Sequence, residues 1–300
     1  MSANLTTKNV LFAATTLLVS GSTLAGPAPY HNAEASEKAV QFAPGIISTA
    51  EHFEINTVFN EAGDHLLFAR CKDDFSSCTM MESFYKQGQW QTPVALPFSG
   101  GYLEADPYFN EDYSQVYFVS KRPTVAGGEI SGSVNLWRVA LSADGEWQEP
   151  KYLASLSSDG DDLYPSITDN GDLYFPSFRN NGRQMYVAKR VPSGFEEPKP
   201  LPAHIYGEDA KIGDSVVLRD GNTIIFSISN RKDSLGRGDL YVSQKVDGKW
   251  TVAKSLGDKV NTPDHEFTPI VSPNGEYLFF TRIENGRGNL YQIKLSALGL

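Results

Sequence analysis

The sequence predicts an all-β fold, a five-bladed β-propeller of four-stranded antiparallel blades, from three observations. One phrase of strand and turn residues recurs at intervals of roughly 50 to 58 residues, a period typical of propeller blades. The first four phrases are each followed by signals for two further strands, and the fifth by a signal for one. A spare outer-strand signal precedes the first copy, so the ring can close on itself. The five copies cover residues 57–68, 107–118, 165–175, 215–226 and 269–280.

The first half of each blade is predicted to be a tight hairpin. A short apolar stretch such as Pro107-Tyr-Phe109 has the length and residue content of an innermost strand. A turn follows whose residues tolerate positive φ, as in Asn170-Gly171 and Asn274-Gly275. The second strand carries a recurring phenylalanine, which in the five copies is Phe68, Phe118, Phe175, Phe226 and Phe280.

The second half of each blade is predicted to add a third strand and an outermost strand. The third strands are predicted within residues 80–86, 135–141, 184–189, 239–244 and 289–294. The outermost strands of the first four copies are marked by Trp90, Trp147, Phe195 and Trp250. Three of these aromatic residues are followed three positions later by a proline, Pro93, Pro150 and Pro198. Proline suits an edge strand because one row of its amides is left unpaired.

The fifth copy ends near Leu295 without an outermost strand, but a matching segment stands ahead of the first copy as Gln41-x-x-Pro44-x-x-Ile47. We therefore expect this N-terminal strand to complete the last blade. Such closure removes the open sheet edges that an unfinished array would expose. The propeller is predicted to span residues 39–300.

The first residues have the pattern of an export signal, predicted to cover residues 1–25, with a linker at 26–38. Lys8 precedes an apolar run at 10–19, and small residues around Thr23-Leu-Ala25 suit cleavage. The apolar run is too short to span a bilayer. These features predict a periplasmic or secreted protein that does not insert into the membrane.

The only two cysteines, Cys71 and Cys78, lie close together after the second strand of the first copy. In an exported protein this spacing favours a disulfide that closes a small loop, although buried free thiols or a redox pair are alternatives. The formal net charge of −10 makes nucleic acid and anionic membranes poor partners. We expect a monomer.

Several segments resemble the TolB-like propeller repeat of bacterial envelope proteins, with its D-x-x-P-x-x-S-P-D-G-x-x-L-Y-F and G-x-G-D-L-Y phrases. The closest copies are residues 162–179, 236–241, 266–280 and 286–291. The resemblance implies the blade architecture. It implies no specific activity, because the family's repeats serve in binding scaffolds, translocation-associated proteins and the substrate-orienting parts of some hydrolases and lyases.

Two sets of charged residues recur at fixed places in the copies. Carboxylates precede the innermost strand, near one mouth of the channel, and arginines follow the second strand. The carboxylates are Glu54, Glu104, Asp162 and Glu266, and the arginines are Arg70, Arg122, Arg179 and Arg282. The fourth copy departs from both patterns with Ile212 and Arg231. The favoured interpretation is that each acid pairs with an arginine across neighbouring blades, since a joint is needed at every interface. The alternative is a polar funnel that binds a sugar, a peptide or a small charged ligand.

The function predicted from these observations is that of a binding module of the cell envelope, with a protein, peptide or glycan ligand, without catalysis and without a cofactor. The alternative is a glycosidase or polysaccharide lyase that uses the carboxylates at the funnel. A third possibility is a purely structural partner in an envelope complex. No G-x-S-x-G elbow is present, and the five histidines have no metal-binding spacing, so we predict no catalytic residue and no metal site.

Overall fold

A computed structural model of the chain describes residues 28–208 and 210–300, and these residues form a five-bladed β-propeller. All strand pairs named below are antiparallel. We number the blades 1 to 5 along the chain and letter their strands a to d from the channel outward. The predicted fold class is confirmed. The predicted signal, residues 1–25, lies outside the described residues.

The strands of each blade are given in the order a, b, c, d. Blade 1 consists of Phe53–Phe59, His65–Cys71, Cys78–Lys86 and Val94–Ala95, and blade 2 of Glu104–Phe109, Gln115–Ser120, Asn135–Ala140 and Lys151–Tyr152. Blade 3 consists of Ser166–Ile167, Leu173–Ser177, Gln184–Ala188 and Lys199–Pro200, and blade 4 of Lys211–Val217, Thr223–Ser229, Asp239–Val246 and Lys254–Ser255. Blade 5 consists of His265–Val271, Tyr277–Glu284, Arg287–Lys294 and Val40–Gln41. Four further short strands are Gln89–Trp90, Arg190–Val191, Gly194–Phe195 and Lys249–Trp250, and four 3-10 helices are Glu34–Ser36, Arg179–Asn181, Ala203–Tyr206 and Leu295–Leu298.

The N-terminal strand closes the ring as predicted. Val40 and Gln41 lie opposite Gln292 and Tyr291 of strand c in blade 5. The closing segment continues with Phe42, whose amide donates to the carbonyl of Leu290 at 2.8 Å. Chain start and chain end are therefore joined within one sheet.

The outer edge of blades 1, 3 and 4 is divided into two pieces, which differs from the single outer strand predicted. Trp90 belongs to a short strand that pairs with the end of strand c, and strand d begins only after Pro93, at Val94. Blade 4 has the same break between Trp250 and Lys254, where Ala253 stands in the place of proline, so proline is not required for it. The recurring aromatic residue therefore stands before strand d and not within it.

The core lies between the blades. The recurring phenylalanines of strand b, namely Phe68, Phe118, Phe175, Phe226 and Phe280, are at most 1% exposed. Burying one such side chain stabilises the fold by roughly 1.5 to 3 kcal/mol. The predicted linker also contributes, because Tyr30 is buried against Phe59, Tyr277 and Phe279.

The innermost strands contact one another around the ring, from blade 1 through blade 5 and back to blade 1. In blades 1, 2, 4 and 5 the pairing of strands a and b shifts register near the start of strand a. Such a bulge bends the strand and re-aims a side chain. Among the residues at these irregularities, Gly213 and Asp214 of blade 4 line the candidate site described below.

Two further findings bear on the sequence predictions. Cys71 and Cys78 form a disulfide across strands b and c of blade 1, which confirms the predicted pairing. Within residues 28–208 and 210–300, no helix has the length and hydropathy needed to cross a membrane.

Candidate functional site

The structure brings each predicted acid to its predicted arginine. Arg70 Nε lies 3.2 Å from Glu54 Oε1, Arg179 Nη2 lies 2.9 Å from Asp162 Oδ1, and Arg282 Nε lies 2.8 Å from Glu266 Oε1. Arg122 pairs with Glu104 in the same way. The expectation that the partners come from neighbouring blades is wrong. Both belong to one blade, because strands a and b are adjacent antiparallel strands in which Glu54 lies directly opposite Arg70 and Glu266 opposite Arg282.

These pairs nevertheless fasten one blade to the next through the backbone. All four arginines donate from Nη2 to a carbonyl in the connection that arrives from the preceding blade: Arg70 to Ile46 at 3.5 Å, Arg122 to Phe98 at 3.0 Å, Arg179 to Leu156 at 2.6 Å and Arg282 to Val260 at 2.7 Å. The acids accept amides of the same connections: Glu104 from Gly100 at 2.9 Å, Asp162 from Ser158 at 2.7 Å and Glu266 from Thr262 at 3.1 Å. Each ion pair therefore holds the incoming chain against its own blade.

Blade 4 reaches the same result with different residues. Ile212 occupies the position of the acid and is buried. Arg231, one residue out of the expected parity, still donates to the carbonyl of Tyr206 at 2.9 Å in the connection from blade 3. Its carboxylate partner is Asp233, at 2.8 Å. The connection is fastened by the arginine even where the repeat phrase is broken.

The four predicted acids are not exposed at the channel mouth. Glu54, Glu104, Asp162 and Glu266 are each 0% exposed. Burial outweighs the arginine and raises the pKa of both Glu54 and Glu266 above the ordinary value. That these acids bind a ligand stays a prediction. Their contacts with the arginines and with backbone amides give them a structural role.

A second ring of polar residues, two positions after the acids, faces the channel. Its members are Asn56, Asp106, Tyr164, Asp214 and Thr268. Four of them stand at the irregularities of the innermost strands, and Tyr164 lies just before strand a of blade 3. Four of them have positive φ, with values of 61° for Asn56, 57° for Asp106, 45° for Tyr164 and 48° for Thr268. The sequence analysis missed this ring. A usable signal was the proline that directly follows three of these residues, because proline within a sheet is confined to edge strands, strand starts and bulges.

The ring is held by hydrogen bonds between blades. Asn56 Nδ2 donates to Asp106 Oδ1 at 2.8 Å, and the amide of Tyr164 donates to Asp106 Oδ2 at 3.1 Å. The amide of Thr268 donates to Asp214 Oδ2 at 2.8 Å. The two buried carboxylates thus link blades 1 to 3 and blades 4 to 5 respectively.

Burial perturbs the titration of this ring. Desolvation, followed by the charge of Asp214, raises the pKa of Asp106 to about 7. Desolvation also raises the pKa of Asp214, against the lowering effect of Arg183. The pKa of Tyr164 is raised well above its ordinary value by burial and by the two carboxylates, so its hydroxyl stays protonated.

A cavity of about 580 Å³ opens above this ring, at the end of the channel where strands a begin. Tyr164, Asp214 and His265 form part of its wall, together with the aromatic side chains of Phe75, Phe178 and Phe267. Three basic side chains also line the cavity, those of Arg183, Lys211 and Arg237. Most of these residues come from strand starts and from the connections between strands b and c, so the site is built by several blades.

Arg183 is the best-positioned cation of the cavity. Its Nη2 lies 3.5 Å from Asp214 Oδ1, and its guanidinium stands 5.1 Å from the ring centre of Phe178 and 5.9 Å from that of Tyr164. Its Nε is buried and has no hydrogen-bond partner among the described residues. A buried donor of this kind is costly unless a ligand or water satisfies it.

Lys211 and Arg237 are exposed, and neither forms an ion pair within the described part of the chain. Arg237 is nevertheless anchored through its backbone, since its amide donates to the carbonyl of Asp264 at 2.9 Å. The neighbouring Gly238 has no room for a side chain, because a Cβ there would lie 2.4 Å from the imidazole of His265. Burial lowers the pKa of His265, which favours the neutral imidazole at pH 7.

The other end of the channel has a smaller cavity of about 180 Å³. Its cation, Arg219, is fully engaged: the guanidinium stacks on Tyr113 at 4.7 Å and donates to the carbonyls of Phe109 and Asn110. Among the described residues, no cluster of histidine, cysteine, aspartate or glutamate side chains could hold a metal ion. The larger cavity is therefore the stronger candidate for a binding site.

Fold and site together define a five-bladed β-propeller with TolB-like repeats and a basic, aromatic cavity at one end of its channel. The chain is similar to TolB from Acinetobacter baumannii, with 13% identity, a TM-score of 0.49, and coverage of 82% of this chain and 55% of that one. It therefore spans about half the length of that protein. The predicted five-bladed propeller is confirmed by the arrangement of the sheets themselves.

Two further solved structures show the same architecture. A protein described as a glycoside hydrolase has 11% identity, a TM-score of 0.55, and coverage of 86% of this chain and 91% of that one. Hydrazine synthase of Kuenenia stuttgartiensis has 12% identity, a TM-score of 0.51, and coverage of 83% and 38%. Likeness at such identities shows the fold alone. No family model matches the chain, and no curated protein matches it.

Proposed function

We propose that this protein is an exported binding module of the cell envelope whose ligand site is the cavity at the channel mouth. The observation that carries the proposal is the composition of that cavity: three cations and three phenylalanines surround a volume of about 580 Å³. Ligand sites in proteins are typically concave, mostly apolar and provided with a few polar anchors, in this size range.

The contacts of the predicted acids favour ligand binding at this cavity and not at the acids themselves. Glu54, Glu104, Asp162 and Glu266 are buried in ion pairs and accept backbone amides of the connections. A ligand could reach them only after those contacts were broken. Lys211 and Arg237, in contrast, are exposed at the cavity and free of ion pairs within the described residues.

Export is supported by two independent features. The leader at residues 1–25 has the pattern of a cleaved signal, and the Cys71–Cys78 disulfide belongs to an oxidising compartment. The proposed partners are accordingly a protein, peptide or glycan of the envelope, in the periplasm or outside the cell.

The test uses the mature chain from residue 26 onward, screened by calorimetry against envelope-derived peptides and glycan fragments. Ligands found with the wild type are then titrated into the double variant Lys211→Ala/Arg237→Ala. The control is Lys199→Ala/Lys249→Ala, which removes two exposed cations of the outer blade edges and leaves the same net charge. We expect affinity to fall by at least about threefold in the cavity variant only. Equal affinity in both variants for every ligand would refute the cavity as the site.

A second candidate function, an acid–base hydrolase or lyase acting on a glycan, is favoured by one observation. Asp106 and Asp214 are two buried carboxylates of the channel whose pKa values are both raised, that of Asp106 to about 7. A raised pKa is a property of general acids. Release of reducing ends or unsaturated sugars from envelope polysaccharides, lost in Asp214→Asn, would support the enzyme over the binding module.

A further inference from the structure

The face of the propeller that contains the cavity also has exposed apolar side chains, two of which, Phe75 and Phe178, line the cavity itself. The connections between strands b and c of blades 1 to 4 all end at this face, because strand b ends and strand a begins there. They expose Phe75 (36%), Val125 (68%), Ile130 (65%), Phe178 (43%) and Leu235 (53%). We call these five residues the apolar rim. A group of exposed large hydrophobic side chains around a polar site is typical of an interaction surface.

The cavity inside the rim has an excess of positive charge. Its wall has three positive charges, on Arg183, Lys211 and Arg237, and at most one negative charge, on Asp214. The net charge of these side chains is therefore at least +2. The whole chain, in contrast, has a formal charge of −10. A local basic cavity in an acidic protein attracts an anionic group and repels the cations that the rest of the surface would attract.

The geometry of Arg183 indicates which anion fits. Its side chain is positioned by Phe178, Tyr164 and Asp214, and its buried Nε is unpaired among the described residues. A carboxylate is planar and accepts two parallel hydrogen bonds from a guanidinium, which would satisfy Nε together with one Nη. Lys211 and Arg237 at the edge of the cavity would add charge without fixed geometry.

We infer that the site binds an extended peptide segment of a partner protein, with a carboxylate of that segment on Arg183 and its neighbouring apolar side chains on the rim. The inference rests on the proposed function and names the chemistry of its ligand. The carboxylate has two possible sources, the C-terminus of the partner chain or an aspartate or glutamate side chain. Peptide is favoured over sugar because the rim offers aliphatic side chains such as Val125, Ile130 and Leu235, which pack against apolar residues but present no hydrogen-bonding groups to sugar hydroxyls.

The test uses the mature chain and four fluorescent probes, read by fluorescence polarisation. The first is a short peptide ending in leucine and phenylalanine with a free C-terminal carboxylate, and the second is its C-terminal amide. The third is the amide with a glutamate next to the phenylalanine, and the fourth is an oligomer of uronic acid. We expect the first or third peptide to bind at least about tenfold more tightly than the amide, and added salt to reduce the difference.

Three protein variants locate the effect. Arg183→Gln should remove the preference for the carboxylate. Lys211→Gln/Arg237→Gln changes exposed residues only, so it keeps the inference testable if Arg183→Gln fails to fold, and it should reduce affinity by at least about threefold. Lys199→Gln/Lys249→Gln serves as the matched control and should leave affinity unchanged.

The outcomes separate the inference from the proposed function. Equal binding of acid and amide peptides, sensitive to the cavity variants, would overturn the carboxylate and leave the cavity as a binding site. Binding of the uronic acid oligomer without binding of any peptide would overturn the peptide ligand. Binding that none of the cavity variants changes would overturn both.

Discussion

Asn56 donates from Nδ2 to Asp106 Oδ1 at 2.8 Å, and this neutral contact joins the innermost strands of blades 1 and 2 at the channel. No cation pairs directly with Asp106 within the described residues, and burial together with Asp214 raises its pKa to about 7. The hydrogen bonds from Asn56 and from the amide of Tyr164 favour the ionised acid and lower its pKa, but the desolvation of the charge outweighs them. Asp106 is therefore a group whose ionisation opposes folding.

This pKa has a defined consequence for stability against pH. The native state holds the proton of Asp106 up to about pH 7, whereas the ordinary value is 3.8. Native protein thus binds more protons than unfolded protein in this window, and the free energy of unfolding falls as pH rises from about 4 to about 7. The full effect of one such group is about 4 kcal/mol, and Asp214, whose pKa is also raised, adds to the same slope.

Asp106→Asn should make this slope shallower and raise the free energy of unfolding at pH 8, because the amide carries no charge to desolvate. Urea denaturation at pH 5 and pH 8 measures both effects. Asp112→Asn is a useful control, since hydrogen bonds from Ser114 lower the pKa of Asp112 and its contribution has the opposite sign. An unchanged pH dependence in Asp106→Asn would show that this carboxylate does not titrate in the window.

The Arg282–Glu266 pair gives the second prediction. Glu266 is 0% exposed, and Arg282 donates to it and to the carbonyl of Val260 in the connection from blade 4. Arg282→Met should lower the free energy of unfolding by roughly 3 to 5 kcal/mol, because it leaves a buried carboxylate without its partner. Urea denaturation at pH 7 measures the loss.

Two further variants identify the cause of that loss. Glu266→Leu/Arg282→Met removes the unpaired charge and should recover part of the stability. Arg287→Met breaks an exposed ion pair with Asp73 and should cost less than about 1 kcal/mol. A double variant no more stable than Arg282→Met would attribute the loss to the bond with Val260 and not to the buried charge.

The blade count, the closure and the acid–arginine contacts could be predicted because they depend on the repeated phrase. In a closed ring, the Gln41-to-Ile47 segment is expected to pair with the blade that lacks an outer strand, which is blade 5. The blade that contains each contact was mistaken, because even offsets along a strand indicate the face of a sheet but not which neighbouring strand supplies the partner. The pairing of strands a and b identifies the partner, because Glu54 lies opposite Arg70 in the same blade.

The cavity could not be predicted for a related reason. Arg183 and Phe75 lie in connections whose residues do not recur from blade to blade. Arg237 belongs to a phrase that recurs at residues 286–288, but the repeat does not indicate which other residues surround it. Asp106 and Asp214 stand at irregularities of strand a, where a local change of register turns a side chain toward the channel. A pattern of period two cannot anticipate that turn.

The closing strand gives the third prediction. Phe42 is 2% exposed and packs against Phe59, Trp90 and Phe279, whose ring centres are 5.3 to 5.9 Å away. Phe42→Ala should lower the free energy of unfolding by roughly 3 to 5 kcal/mol, as expected for a buried aromatic side chain. Deletion of residues 39–48 removes the whole outer strand of blade 5 and should abolish the cooperative unfolding of a monomer. A deleted chain that remains a stable monomer, judged by light scattering and urea denaturation, would contradict the shared blade.

The disulfide gives the last prediction, which connects stability to binding. Cys71 and Cys78 close the loop that carries Phe75, and Phe75 packs on Phe53 and Phe267 at the cavity wall. Cys71→Ser/Cys78→Ser should lower the free energy of unfolding by about 2.5 kcal/mol, the chain-entropy value for so short a loop. It should also weaken binding of the free-carboxylate peptide by about threefold to tenfold, since the rim residue is no longer held in place.

Phe75→Ala, with the disulfide intact, separates the two effects. The side chain is partly exposed, so its loss should cost little stability while it weakens peptide binding at least as much as the serine variant. Reduction of the wild type with dithiothreitol should reproduce the serine variant. Peptide affinity that is the same in the wild type, the serine variant and Phe75→Ala would exclude this loop from the binding surface and confine the ligand to the walls supplied by blades 3 to 5.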